Sequence, residues 1–206
     1  MSDLDLEPSR CAVLVVDLQN DNLAAGGASD GTEAFQHAIE QNVVENAGKI
    51  SEAARQAGAQ VVHCHFVVEP EADYSGRNIK LFRQIAENEM VVRGKWGAQP
   101  VDGAEPKDGD LVLERARMSS FHGTQLDIWL RNLGIDTVIV TGVHTCHAVN
   151  GTARAAADHG YRVVLASDAT ASMSAEWQEM DLRTGLTNIA EIADTASITN
   201  ALTGTS

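Results

Sequence analysis

The stretch CAVLVVDLQND, residues 11–21, decides the fold class. Its first six residues, Cys11 to Val16, are an unbroken apolar run, which is typical of a strand buried on both faces of a parallel sheet. The run ends at Asp17, where a polar loop begins. A carboxylate at the carboxyl end of such a strand lies where open parallel sheets bind their ligands. The stretch therefore predicts both a strand and a candidate site.

Comparable apolar runs recur along the chain and alternate with amphipathic segments. The runs lie at 60–68, 110–114, 136–142 and 161–167; the predicted helices lie at 43–54, 126–133 and 148–158, ending near Gly58, Gly134 and Gly160. This alternation predicts an α/β fold, a three-layer αβα sandwich around a mainly parallel sheet with Rossmann-like topology. The segment 69–108 holds every proline except Pro8 and is expected to form loops that flank the site.

Length and charge narrow the class of protein. A chain of 206 residues predicts one domain spanning 1–206. Its net charge of −14 repels phosphate backbones and anionic lipids, which argues against nucleic-acid and membrane partners. The acidic, polar start differs from a signal peptide, so we expect a cytoplasmic protein. Because no G-x-G-x-x-G follows the first strand, a dehydrogenase is disfavoured, and we expect no cofactor.

Two charged residues follow predicted strands. Asp17 is a candidate general acid or base, against the plainer interpretation of a loop-capping aspartate. Arg115 ends the strand at 110–114, and a cation beside Asp17 would keep the carboxylate ionised or polarise a substrate oxygen. An exposed ion pair is the alternative for Arg115.

The segment TGVHTCHA, residues 141–148, predicts a strand that passes through a tight turn into a helix. The N–H groups at such a turn could stabilise an oxyanion, and the helix start would lower the pKa of the Cys146 thiol. Alternatively, Cys146 fills the core. His144 and His147 flank it as possible bases. The odd count of three cysteines, with no C-x-x-C pair, favours reduced thiols, and we expect Cys11 and Cys64 in the core.

His63 and His65 alternate on one strand and so share a face, which could begin a metal site. No third ligand is evident, so we expect no bound metal and interpret them as polar residues near the pocket. Loop position suggests that some of the following line the pocket: Gln19, Asn22, Phe66, Trp96, Met118, Phe121 and Thr145.

Four segments together resemble the isochorismatase-like hydrolase superfamily, which includes nicotinamidases, N-carbamoylsarcosine amidases, ureidoacrylate hydrolases and isochorismatases. They are VVDLQND at 15–21, ERARMSSFHGTQL at 114–126, GIDTVIVTGVHT at 134–145 and GTARAAADHGYRVVLASDA at 151–169. The resemblance extends from about Arg10 to Ile198. Each segment alone is modest, but their order and separations form a specific pattern.

The resemblance implies a site built from aspartate, lysine and cysteine in the amide-hydrolysing relatives. Asp17 matches the aspartate, Arg115 stands at the lysine position and Ala148 at the cysteine position, with Cys146 two residues earlier. The family pattern further implies a non-proline cis peptide at Val143–His144, with the N–H groups of His144 and Ala148 lining an oxyanion hole.

Three functional interpretations follow. The first is a hydrolase of a small molecule, acting on an amide or ureido C–N bond, with Asp17 as acid/base and water or Cys146 as the attacking group. The second is vinyl-ether hydrolysis of the isochorismatase type, which the resemblance implies can proceed without a cysteine. The third is a non-catalytic small-molecule-binding protein. We expect a homo-oligomer, a dimer or tetramer, in each case.

Overall fold

The computed structural model describes residues 4–69 and 76–204. Its sheet has six strands: β1 (Cys11–Val16), β2 (Gln60–Phe66), β3 (Leu111–Arg115), β4 (Thr137–Val143), β5 (Arg162–Ala171) and β6 (Glu191–Ala193). The strand order is β3-β2-β1-β4-β5-β6, and every neighbouring pair is parallel. The predicted α/β class with a mainly parallel sheet is confirmed.

Helices cover both faces of this sheet. They are α1 (Asn20–Leu23), α2 (Glu33–Glu40), α3 (Val43–Ala57), α4 (Lys80–Glu87), α5 (Leu126–Asn132), α6 (Asn150–Asp158), α7 (Ala175–Met180) and α8 (Thr195–Thr203). One apolar cluster joins α3 and α8 to the sheet, and a second joins α5 and α6 to the opposite face. Every residue of β1 and β4 is buried, which explains why β1 is apolar throughout and β4 is mainly apolar.

The strand register brings the candidate site residues Asp17 and Arg115 together. Val16 lies beside Cys64, and Phe66 lies beside Arg115, so the ends of β1, β2 and β3 form one continuous edge. Asp17 follows β1 directly, with its backbone N–H donating to Cys64 O at 3.0 Å. Residues nearly 100 positions apart in the chain are therefore neighbours at this edge.

Three parts of the fold differ from the prediction. Strand β5 extends beyond residue 167 to Ala171, and the three-residue edge strand β6 has too little pattern to be recognised. The prediction of loops for 69–108 is wrong where α4 lies; residues 70–75 of that segment fall outside the described residues. Helix α4 forms because Phe82 packs with Phe66, Val68 and Val91 in a small apolar cluster.

Strands β1 and β4 approach closely at Gly142. A Cβ atom there would lie 1.9 Å from Val16 O, and the residue has a φ of +108°, so the position requires glycine. Just after Gly142, the peptide bond between Val143 and His144 is cis, as the resemblance implied. Among the described residues, no helix has the length and apolarity needed to cross a membrane.

Candidate active site

Asp17 is held at the edge of the sheet by backbone and side-chain contacts. Its φ of +55° turns the chain out of β1, a left-handed conformation that aspartate tolerates better than most residues. One carboxylate oxygen, Oδ1, accepts a hydrogen bond from Phe66 N at 3.0 Å. The other, Oδ2, accepts one from Arg115 Nη2 at 2.8 Å. Each oxygen retains a further lone pair for a water or a substrate proton.

Arg115 is buried beneath this carboxylate. Its side chain is 0% exposed and that of Asp17 is 9% exposed, so the alternative interpretation of an exposed ion pair does not hold. Besides Asp17, the guanidinium donates from Nη1 to Arg117 O and from Nε to Ser120 Oγ, and it lies 5.4 Å from the Phe66 ring centroid. These contacts fix the orientation of the Arg115 guanidinium. The single ammonium group of a lysine could not make all of them.

Opposing effects act on the pKa of the Asp17 carboxyl group. Burial raises its pKa above the ordinary value, whereas the Arg115 guanidinium and the Phe66 N–H oppose that shift. We place the net change upward because desolvation of the whole carboxyl outweighs one ion pair. An upward shift makes a carboxyl group a better proton acceptor than an ordinary aspartate, which suits a general acid or base.

Ala148 lies on the side of its helix that faces this pair. Residues 145–149 form one turn of π-helix, which continues into α6. Ala148 packs in the apolar cluster of α5 and α6, and Thr152, one turn further on, bonds to Ser120 Oγ at 3.2 Å. The side chain at position 148 thus lies on the Arg115 side of the helix and carries no nucleophile.

Cys146 is directed elsewhere. Its Sγ lies 3.5 Å from His147 Nδ1, and the other groups that influence it include Ser172 and Asp181, at the end of β5 and after α7. Burial raises the pKa of the thiol, and the opposing effect of the Ser172 hydroxyl is smaller. The prediction that the helix start lowers this pKa is wrong, because burial of the thiol raises it instead.

The turn before α6 is anchored by a buried polar network. Thr145 donates to Gln178 Oε1 at 2.7 Å, and Gln178 Nε2 donates to the carbonyl oxygens of Ser167 and Thr170. Burial lowers the pKa of His144 to about 4, and its buried Nδ1 has no hydrogen-bond partner in the described part of the chain. The network holds the turn against β5, so Thr145 stabilises the turn through Gln178.

The other predicted pocket residues occupy varied positions. Gln19 is fully buried and bonds to both the N–H and the carbonyl of Phe66 and to Ala98 O, so it ties the loops together. Trp96 is 51% exposed and lies in a 3-10 turn. Its backbone carbonyl accepts a hydrogen bond from Asn20 Nδ2. The ring of Phe121 stacks 5.1 Å from that of His159.

Three further predicted residues lie near these elements. Asn22 donates to Asp17 O at 3.0 Å. Met118 lies 3.7 Å from where a Cβ atom on Gly151 would stand. Phe66 supplies both its N–H and its ring to the Asp17–Arg115 pair. Asn22 and Phe66 thus contact the pair directly.

His63 and His65 share a face of β2, with ring centroids 6.0 Å apart. Within the described residues, no group of three His, Cys, Asp or Glu side chains is arranged to hold a metal ion. Burial lowers the pKa of both imidazoles, that of His65 to about 4. Both rings are therefore neutral at pH 7.

Sequence reasoning missed Ser120, Thr152 and Gln178. Ser120 is fully buried, bonds to Arg115 and receives support from Thr152, whereas Gln178 anchors Thr145. Each acts through contacts between elements distant in the chain, and no local pattern signals such contacts. An open groove of about 620 Å³ lies elsewhere, between α3 and α8. The candidate site lies instead at the buried Asp17–Arg115 pair, because buried, mutually paired charges are typical of functional sites.

Comparison with known proteins places this geometry in context. The family model described as the isochorismatase domain matches residues 11–197. The chain is 32% identical over 181 residues to a ureidoacrylate amidohydrolase of Rhizobium rhizogenes, covering 81% of this chain and 72% of that protein. It is 31% identical over 202 residues to an uncharacterized isochorismatase family protein of Escherichia coli O157:H7, covering 97% and 100%.

Solved structures give the same result. A cysteine hydrolase from Pseudomonas syringae pv. phaseolicola superposes with a TM-score of 0.87 at 25% identity over 100% of both chains. The N-carbamoylsarcosine amidase from Thermoplasma acidophilum superposes with a TM-score of 0.69 at 29% identity, covering 90% of this chain and 96% of that one.

Proposed function

The chain belongs to the isochorismatase family, and we propose that it is a hydrolase that cleaves a C–N bond of a small amide or ureido compound. The similarity to a ureidoacrylate amidohydrolase and to an N-carbamoylsarcosine amidase supports this substrate class. The observation that carries the proposal is the buried Asp17–Arg115 pair at the carboxyl edge of the sheet.

In the proposed reaction, Asp17 moves the proton. The oxygen of a water molecule attacks the substrate carbonyl carbon while a water proton passes to the Asp17 carboxylate. Asp17 then gives this proton to the leaving nitrogen as the C–N bond breaks, which yields an acid and an amine. Arg115 holds Asp17 in place, and the N–H groups of His144 and Ala148 stabilise the oxyanion.

Water is the attacking group in this proposal for two reasons. Ala148, on the side of Arg115, offers no nucleophile, and Cys146 contacts His147 rather than Asp17. Burial also raises the pKa of the Cys146 thiol, which leaves it protonated at neutral pH. An attack by Cys146 would require the turn at 144–149 to rearrange.

A second candidate is hydrolysis of a vinyl ether. The specific observation in its favour is the upward shift in the pKa of Asp17, because that reaction begins with protonation of carbon by a carboxylic acid. Ala148 is compatible with it, since water opens the protonated intermediate and no thiol takes part.

We propose in addition that the protein works in the cytoplasm as a dimer or tetramer, without nucleic acid. The acidic composition supports the absence of nucleic-acid binding. The exposed apolar side chains of Met173, Trp177 and Met180, on and just before α7, support self-association. Light scattering after size-exclusion chromatography tests the oligomeric state.

A substrate panel tests the proposal. Purified protein and the Asp17→Asn variant are assayed with primary amides, ureido acids and a vinyl ether of the isochorismate type. Release of ammonia from an amide or ureido acid, lost in Asp17→Asn, supports C–N hydrolysis. Turnover of the vinyl ether alone supports the second candidate. Tight binding that survives Asp17→Asn, without any turnover, would overturn the enzyme proposal and favour a binding protein.

A further inference from the structure

A small cavity lies on the α3 side of the sheet, apart from the Asp17 carboxylate. Its volume is about 50 Å³, several times the roughly 10–15 Å³ that one water molecule requires. Its walls combine small apolar residues with polar side chains from α3, β2 and the loop before β3. The polar lining residues are Ser51, Arg55, His63, Glu105 and Lys107.

His63 presents an unused hydrogen-bond acceptor at this cavity. Its side chain is 3% exposed, its Nε2 lies 3.0 Å from Asp110 Oδ2, and its buried Nδ1 has no hydrogen-bond partner within residues 4–69 and 76–204. Burial lowers the pKa of His63, so the ring is neutral at pH 7. A buried acceptor without a donor is costly, which points to an occupant that donates a hydrogen bond.

Asp110 fixes which nitrogen of His63 carries the proton. The Asp110 carboxylate also accepts two bonds from the Arg55 guanidinium and one from Lys107 N. Burial alone would raise the pKa of Asp110, but these bonds lower it, so the carboxylate is ionised. An ionised carboxylate requires a donor, and therefore the His63 proton resides on Nε2 and the lone pair on Nδ1.

The charges around the cavity leave one carboxylate uncompensated. Arg55 is neutralised by Asp110, and Lys107 Nζ pairs with Glu52 at 3.0 Å. Glu105 lies at the exposed mouth of the cavity, where it accepts a bond from Gly103 N. Among the described residues, no Lys, Arg or His side chain forms an ion pair with it. The local charge thus favours a monovalent cation.

We propose that this cavity binds ammonium or a small primary alkylammonium ion. The ion would donate hydrogen bonds to His63 Nδ1, Ser51 Oγ and the Glu105 carboxylate, which together match the three or four N–H donors of such a group. The excess negative charge disfavours an anion. An alkali cation of similar size cannot donate a hydrogen bond to Nδ1. The inference depends on these residues alone and is independent of the proposed reaction.

Nitrogen NMR of the whole protein tests the site. The protein, labelled with ¹⁵N in its histidines, is titrated at pH 7 with ammonium or methylammonium chloride. Potassium and tetramethylammonium chloride, at equal ionic strength, serve as probes that donate no hydrogen bond. We expect a saturable shift of the His63 Nδ1 resonance with the first two salts only. A shift of equal size with potassium or tetramethylammonium, or no saturable shift with ammonium, would overturn the proposal.

A variant at the mouth of the cavity provides a second test. Glu105 is exposed, so Glu105→Gln should fold normally, and we expect it to weaken ammonium binding by about tenfold or more, because a charge-assisted bond is lost. Glu40→Gln, an exposed acid at the end of α2, is the matched control and should bind as the wild type does. Equal binding by Glu105→Gln and the wild type would contradict the role of Glu105 in the site.

Discussion

Arg115 Nη2 lies 2.8 Å from Asp17 Oδ2, and the ion pair is almost completely removed from water. A guanidinium stands here where the family pattern implies a lysine. Its three nitrogens each contact a different group: Asp17, Arg117 O and Ser120 Oγ. The carboxylate is therefore held by a cation that is itself fixed from three directions.

Removal of this cation should destabilise the fold. Arg115→Met leaves the Asp17 carboxylate buried without its partner, and we expect the free energy of unfolding to fall by about 3–5 kcal/mol. Arg115→Lys keeps the charge but cannot make all three contacts, so its loss should be smaller. Urea denaturation measures both. If Arg115→Met were as stable as the wild type, the ion pair would not have the structural role assigned to it.

The thiol of Cys146 should react only at high pH. Because burial raises its pKa above the ordinary value of 9.0, the thiolate is scarce at neutral pH. The rate of alkylation by iodoacetamide, followed by mass spectrometry, should still be rising at pH 9. Cys11 and Cys64 are buried and provide an internal control that stays unmodified in the folded protein. A rate that reaches its plateau at or below pH 7 would indicate an activated thiol instead.

Gly142 should not tolerate a side chain. In Gly142→Ala the new Cβ would lie 1.9 Å from Val16 O in a left-handed backbone, and we expect a loss of at least about 3 kcal/mol in unfolding free energy. Gly58→Ala is the matched control, since Gly58 has a φ of +83° but a Cβ atom there would meet no described atom within 4 Å. We expect it to lower the free energy of unfolding by about 1 kcal/mol. If thermal or urea unfolding showed the same loss of stability for both variants, the close approach of β4 to β1 would not be what excludes a side chain at position 142.

Acid should destabilise the protein through its buried histidines. The pKa of His65 is lowered from 6.5 to about 4 in the folded state, so between these values the unfolded chain binds the extra proton. Stability is thus present above pH 6.5 and is lost as the pH falls towards 4. Urea denaturation measures how far the free energy of unfolding drops between pH 7 and pH 4.5. In His65→Gln we expect this drop to be smaller than in the wild type by about 2 kcal/mol. An unchanged pH dependence in this variant would exclude His65 as a source.

Much of the fold could be predicted because its signals are local. The apolar run from Cys11 to Val16 and the glycines after α3 and α5 mark strands and helix ends within a few residues. Helix α4 was not predicted because it depends on packing of Phe82 against Phe66, Val68 and Val91, and the prolines of 69–108 suggested loops. Strand β6 is too short to show a pattern.

The candidate site divides in the same way. Asp17 and Arg115 could be predicted, because each follows an apolar strand and parallel strands end at one edge. The support from Ser120 and Gln178 could not, since it depends on the packing of elements far apart in the sequence. The π-helical form of the turn at 145–149, which carries Cys146, has no local sequence signal.

The central claim is that Asp17, rather than a thiol, carries the chemistry. The most direct test is kcat/KM for a ureido acid or amide found in the substrate panel, measured for the wild type, Asp17→Asn and Cys146→Ala. Asparagine also tolerates the left-handed conformation at position 17, so the variant should fold. We predict that Asp17→Asn loses activity by roughly 10²–10⁴-fold and that Cys146→Ala retains it. Activity that survives Asp17→Asn, or that is lost in Cys146→Ala, would contradict the claim.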